Sequence, residues 1–235
     1  MKVIGNAILA GLILGSTMSL ANDQKLYQSY PSGLFGEIGF GAVSIDHVSS
    51  KTYTGSYGSS TFASGKLTNT YDDALTTNFE FGSVVSGEHG IRVSLSHLSF
   101  DAELSSAAVS GSITAGGTTY SGSTPITRAD VAATGLNFDN EVKLLSLMTY
   151  KDFHLQSPNV VPFLGFGVGR ADVSNAIEKV TAFTYTLGTN IDLGNNFYIS
   201  AKWSLVKAGG IKDRADIEYE DLSFNEIRSS IGLRF

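Results

Sequence analysis

Three side chains spaced two apart, His97, Ser99 and Asp101, set an imidazole, a hydroxyl and a carboxylate on one face of an extended segment. Residues i and i+2 share a strand face, so the imidazole could activate the hydroxyl for attack on an acyl ester. The plainer reading is a strand turning polar as it leaves an apolar environment. Short motifs match by accident often enough to favour that reading, so no catalytic residue is assigned. His47, His89 and His154 fall in or beside loops without companion ligands at metal-site spacing, which implies solvated imidazoles and no metal. No glycine pattern joins a strand to a helix as a nucleotide site requires, and no cofactor is called for. Gly165, Gly167 and Gly169 read instead as strand glycines that make room for bulky inward neighbours.

More chemistry resides in charges that recur inside apolar segments. From Glu226 to Phe235, Ile227, Ser229, Ile231, Leu233 and Phe235 fall on one side of a strand, and Glu226, Arg228, Ser230, Gly232 and Arg234 on the other. Such two-sided alternation suits a membrane barrel with apolar residues toward lipid and polar ones toward the interior. The same pattern assigns Glu37, Glu80, Arg92, Glu141, Lys143, Lys202, Glu226 and Arg228 to the interior, four acids and four bases. An eight-stranded barrel is only wide enough for side chains, so these should pair and plug it. A gated ion path of breakable pairs is the functional alternative; a static salt-bridge core is preferred on pore size.

The elements that must position them follow in order. Segments with period-two alternation are Leu34 to Asp46, Asp73 to Val85, Ile91 to Ala102, Asn140 to Lys151, Val160 to Asp172, Val180 to Ile191, Phe197 to Lys207 and the terminal segment. In the fourth, Val142, Leu144, Met148 and Tyr150 are placed outward, which turns Leu145 and Leu147 inward. Connections alternate long and short. His47 to Tyr71 and Glu103 to Asp139 read as long polar mobile loops, whereas Ser86 to Gly90, Asp152 to Asn159 and Asp192 to Asn196 read as short turns. Phe35, Phe81, Phe163, Phe197 and Phe235 lie near the short turns as an aromatic girdle; Tyr185, Trp203 and Phe224 are candidates for the membrane or its outer rim. The expected fold is all-β: an eight-stranded antiparallel up-and-down transmembrane β-barrel with long external loops. A soluble barrel with its apolar face inside would have to pack the large aromatics into too narrow a bore.

Bulk properties agree. Met1 to Ala21 has a positive start, an apolar run and a small-residue cleavage site, the parts of a secretory signal peptide. A short lead, residues 22–33, precedes a barrel over 34–235. The chain has no cysteine, which excludes a disulfide framework in an exported protein. Its net charge of −6 without a basic cluster argues against nucleic acid.

Val161-Pro162-Phe163-Leu164-Gly165-Phe166-Gly167-Val168-Gly169 resembles the proline-aromatic strand with alternating glycines of small porin-family outer-membrane barrels, the opacity-type and OmpA-transmembrane-domain-like proteins. Met148-Thr149-Tyr150-Lys151-Asp152-Phe153 looks like their Tyr-x-Asp strand end, and Ile231, Leu233 and Phe235 are similar to the C-terminal signal read by the barrel assembly machinery. No added peptidoglycan-binding domain follows the last strand, which puts a cell-wall anchoring role in doubt. Outer-membrane lipid A deacylases carry a His-x-Ser pair on an outward strand surface. Here the acidic residue before the histidine and the asparagine after the serine are missing: Ser96 and Phe100 stand there. The resemblance implies a monomer in the bacterial outer membrane, with lipid, lipopolysaccharide and the assembly machinery as partners. It further implies external loops that contact a host or environmental ligand, with a narrow pore as the alternative.

Overall fold

Period-two alternation works locally because successive side chains of a strand point to opposite faces. In the computed structural model the eight alternating segments become β1 (Leu34–Ile45), β5 (Ala74–Ser86), β6 (Ile91–Ala102), β9 (Asn140–Asp152), β10 (Val160–Val173), β11 (Val180–Gly194), β12 (Phe197–Lys212) and β13 (Glu218–Arg234). They close into one barrel in the order β1-β13-β12-β11-β10-β9-β6-β5, every pair antiparallel. The structure describes residues 33–235 except 58–59, 87–88, 116–117, 130–138, 154–158 and 214–216. The expected signal segment 1–21, nearly all of the 22–33 lead and His154 lie outside the described residues.

First and last strands form the seam, from Phe35 opposite Arg234 to Ile45 opposite Phe224. Both chain ends of the barrel and the short turns share one end; the long connections leave the other. The β11–β12 turn is tight because Gly194, Asn195 and Asn196 take φ of 81°, 51° and 69°. Asparagine tolerates this left-handed region better than most residues, as hairpin turns require.

Outward faces carry Ile38, Phe40, Phe79, Phe81, Leu187 and Ile231, all exposed, while Glu37, Glu80, Arg92, Lys202, Glu226 and Arg228 are buried inside. The interior is divided along its axis. Charges and aromatics fill the half near the short turns. The other half is an apolar core including Val43, Leu98, Phe100, Val142, Val206 and Phe224.

That division corrects the register of β9. Val142, Leu144, Met148 and Tyr150 point inward, and Glu141, Lys143, Leu145, Leu147 and Thr149 point outward. Glu141 and Lys143 therefore leave the interior and pair with each other in the open, at 2.8 Å. The cause is that β9 crosses a region where both sides are apolar, so alternation alone cannot phase it. Two girdle aromatics, Phe35 and Phe163, and the outer-rim candidate Phe224 are corrected too: all three are buried inside, whereas Phe81, Phe197 and Phe235 face outward with Tyr185 and Trp203.

The two long connections are not structureless. β2 (Val48–Ser49), β3 (Tyr53–Tyr57), β4 (Ser60–Tyr71), β7 (Leu104–Ala115) and β8 (Thr118–Thr127) form a second antiparallel sheet, with β4 paired along β7. β13 extends beyond the barrel to hold it: Lys51 N donates to Glu218 O at 2.7 Å, and Lys51–Glu218 and Lys66–Glu220 ion pairs close at 2.9 Å. These strands are Ser-, Thr- and Gly-rich on both faces, so no alternation marked them.

The absence of native cysteine makes the β9 register directly testable. Lys143→Cys should react with a water-soluble maleimide in the folded protein, and Leu144→Cys should react only after unfolding. The opposite pattern would return Glu141 and Lys143 to the interior.

Candidate functional site

The chemistry of this chain gathers in the interior. Lys202 on β12 sits between Glu37 on β1 and Glu80 on β5, bonded to the former and 2.8 Å from Oε2 of the latter. Glu80 also accepts from Ser94 Oγ at 2.7 Å and lies 4.0 Å from Arg228. Arg228 donates to Glu226 at 3.3 Å, and Thr76 Oγ1 donates to the same carboxylate at 3.1 Å. Five of the eight charges expected inside are thus brought together; Arg92 is buried apart from them, and Glu141 and Lys143 face outward.

A second cluster went unrecognised. The sequence pattern places Asp152 at the start of a turn, yet it ends β9 facing inward and binds Arg92 through two oxygens, at 2.8 and 3.1 Å from Nε and 2.8 Å from Nη2. The Arg92 guanidinium lies 4.7 Å from the centre of the Tyr150 ring, 5.0 Å from Phe163 and 5.4 Å from Phe35. Cations over aromatic faces are attracted by the ring quadrupole, more so when desolvated. Asp152 shares strand parity with Tyr150 and Met148, a signal that the correct phase of β9 would have revealed.

The aromatic plug fits because bulky inward side chains face glycines across the sheet. A Cβ on Gly165 would lie 2.5 Å from Tyr150, and one on Gly232 2.1 Å from Tyr198. Room for the rings therefore comes from the neighbouring strand, as Gly165 and Gly167 suggested.

Four buried carboxylates (Glu37, Glu80, Asp152, Glu226) face three buried cations (Arg92, Lys202, Arg228). Below them the partly exposed Arg234 bridges to Asp192 at 2.6 Å and stacks on Tyr198 at 4.5 Å. Burial pushes the Asp192 carboxyl up, but the Gly194 N–H at 2.9 Å and Arg234 together hold it below the usual carboxylate range. That turn contact therefore persists through neutral pH and is lost only as acid protonates Asp192. Beside the network a cavity of about 20 Å³ borders Asn78, Ser146 and Thr184, whose Oδ1, Oγ and Oγ1 are buried without hydrogen-bond partners. One water fits there and could meet them.

Where the second sheet meets the barrel, a larger cavity of about 60 Å³ has Phe100, Val142 and Leu222 on its apolar side and Asn69, Tyr71 and Tyr219 on its polar side. His97, Ser99 and Asp101 are on the outward face of β6, and no hydrogen bond joins them. His47 Nδ1 contacts Thr70 Oγ1 at 3.1 Å, and His89 is exposed in a turn. Among the described residues no group of acidic, histidine or cysteine side chains could hold a metal ion.

Removing one partner of a buried ion pair leaves uncompensated charge, at a cost of roughly 3–5 kcal/mol. Lys202→Met should lower the unfolding free energy in detergent by about that amount. Adding Glu37→Gln and Glu80→Gln should restore a large part of it. Wild-type stability of Lys202→Met in urea titration would show that this network does not bear on folding.

No sequence-family model and no curated protein sequence matches this chain. Solved structures do. Neisserial surface protein A is 12% identical, with a TM-score of 0.52 over 87% of this chain and 98% of that one. The outer membrane protein OprG from Pseudomonas aeruginosa is also 12% identical, with a TM-score of 0.51 over 87% and 97%. The chain thus has the fold of the small outer-membrane barrels: all-β, eight antiparallel strands, closed.

Proposed function

We propose that the protein is a surface-interaction barrel of the bacterial outer membrane. The barrel is the anchor, and the second sheet is the element that meets host or environmental ligands. Long connections face outward and short turns face the periplasm in such barrels, which supports a cell-surface position for β2–β4, β7 and β8. The observation that carries this reading is the sealed interior. A permeating ion would meet interlocked ion pairs and an aromatic plug, then a core rich in Val, Leu and Phe. Opening such a bore means separating buried charges and dewetting an apolar layer, both costly.

Investment lies at the other end. Two connections that a passive barrel could leave short build an ordered sheet, bolted to the β13 extension by ion pairs and a backbone bond. Ordered surface segments on a rigid scaffold are where binding residues concentrate. An enzymatic role finds no support at His97 and Ser99, which share a face without a bond between them.

The protein in planar bilayers should show no steady conductance, and removing residues 104–127 should leave a heat-modifiable folded barrel that no longer captures ligands retained by the intact protein on a panel of host matrix proteins and glycans. Steady single-channel currents, weakened by Arg228→Gln, would favour the pore instead. Undiminished capture after the deletion would remove the second sheet from the reading.

A further inference from the structure

Cations on the outer wall of the barrel are confined to one side. On β9, β10 and β12 the outward apolar run ends, toward the long connections, in a basic residue: Lys143 beyond Leu145, Arg170 beyond Val168, and Lys207 beyond Leu205. Lys179 follows in the β10–β11 connection. On the other side Ser44 on β1 and Asn225 on β13, opposite each other, are uncharged, and on β5 the outward apolar run continues past Thr77 to Leu75.

Two of the four cations are already engaged, Lys143 with Glu141 and Lys179 with Asp172, each at 2.8 Å. Arg170 and Lys207 have no carboxylate within ion-pair distance among the described residues; Arg170 donates only to the Lys179 carbonyl, at 3.3 Å. Both are exposed. They flank β11, where Thr181 is opposite Arg170 and Phe183 is opposite Lys207. Directly beneath lies an aromatic shelf. Phe183 stacks on Phe166 with ring centres 6.3 Å apart and planes 25° apart, and Tyr185 lies 5.5 Å from the same ring.

We propose that the β10–β12 wall seats the phosphorylated headgroup of an outer-leaflet glycolipid. Arg170 and Lys207 would hold phosphate oxygens, and Phe166, Phe183 and Tyr185 would lie against the sugar edge and first acyl carbons. The site rests on the outer-membrane reading above. Its charge is complementary: two cations without acids stand at the depth where the apolar band stops. Guanidinium presents a fork that matches phosphate, ammonium a point charge, and anionic headgroups draw basic residues at the membrane surface. Aromatic rings prefer that same boundary layer. A second copy of this chain is the poorer occupant, because two such walls would oppose their unpaired cations.

The test compares lipid A carrying its phosphates with the same lipid dephosphorylated, each doped into phosphatidylcholine nanodiscs around the purified protein. Lipid kept by the protein is read by native mass spectrometry. Wild type should retain the phosphorylated form preferentially. Arg170→Gln with Lys207→Gln should lower that retention roughly 30-fold, as two headgroup-depth cations contribute. Lys143→Gln with Lys179→Gln removes equal charge and should change it less than about threefold, since those lysines are paired. Equal retention of both lipids, or equal loss from both double variants, would overturn the site; so would full displacement by inorganic phosphate, which lacks acyl chains. Copies held together without lipid would point to the self-contact instead. A protein that stays monodisperse in buffer without detergent would remove the membrane reading itself, and this wall with it.

Discussion

The width of an eight-stranded bore governs everything inside this molecule. Such a barrel leaves room for side chains and little else. A large inward residue therefore needs a vacancy beside it, which the facing glycine provides. A charge that enters cannot keep its hydration, so it must find an opposite charge or a polar partner at contact distance. Tyr150 over Gly165, Tyr198 over Gly232, and Lys202 held between Glu37 and Glu80 are three answers to one shortage of space.

The same shortage explains why the interior is layered. Ionic groups stay where several can meet at one level, near the short turns, and the opposite half closes with Val, Leu and Phe. A uniformly charged bore would need every group partnered over its full length. Layering limits that requirement to the levels where Lys202, Arg228 and Arg92 can each be shared. One carboxylate is still in excess, and Glu37 Oε1 and the Tyr198 hydroxyl are both buried without a hydrogen-bond partner. The network is dense without being saturated.

How far the sequence reveals this architecture depends on contrast between the two faces of each strand. β1, β5, β6, β12 and β13 alternate apolar against polar, and their inward charges are legible one by one. β9 loses contrast because Leu145 and Leu147 face outward while Leu144 and Met148 face inward, so alternation alone gives no phase for Glu141, Lys143 or Asp152. Phe35 and Phe163 were assigned by proximity to a turn, although Phe35 has the parity of Glu37 and Phe163 that of Gly165. The second sheet fails for the opposite reason. Its faces are both polar, and what orders it, pairing with β13 through Glu218 and Glu220, joins residues far apart in the chain. The fold and the facing of most strands thus come from local pattern, but partner identity inside the bore comes only from closure.

Closure itself has a temporal meaning. β1 and β13 are the earliest and latest barrel strands in the chain, and they hydrogen-bond along nearly the whole length of β1. Until the final segment arrives, β1 presents one row of amide and carbonyl groups to whatever is near, an open edge of the kind that templates aggregation. The ionic clasp is incomplete in that interval too, since Glu226 and Arg228 arrive with the last strand while Glu37 waits on the first. The unclosed sheet thus has a margin open to pairing, and the finished cylinder has none.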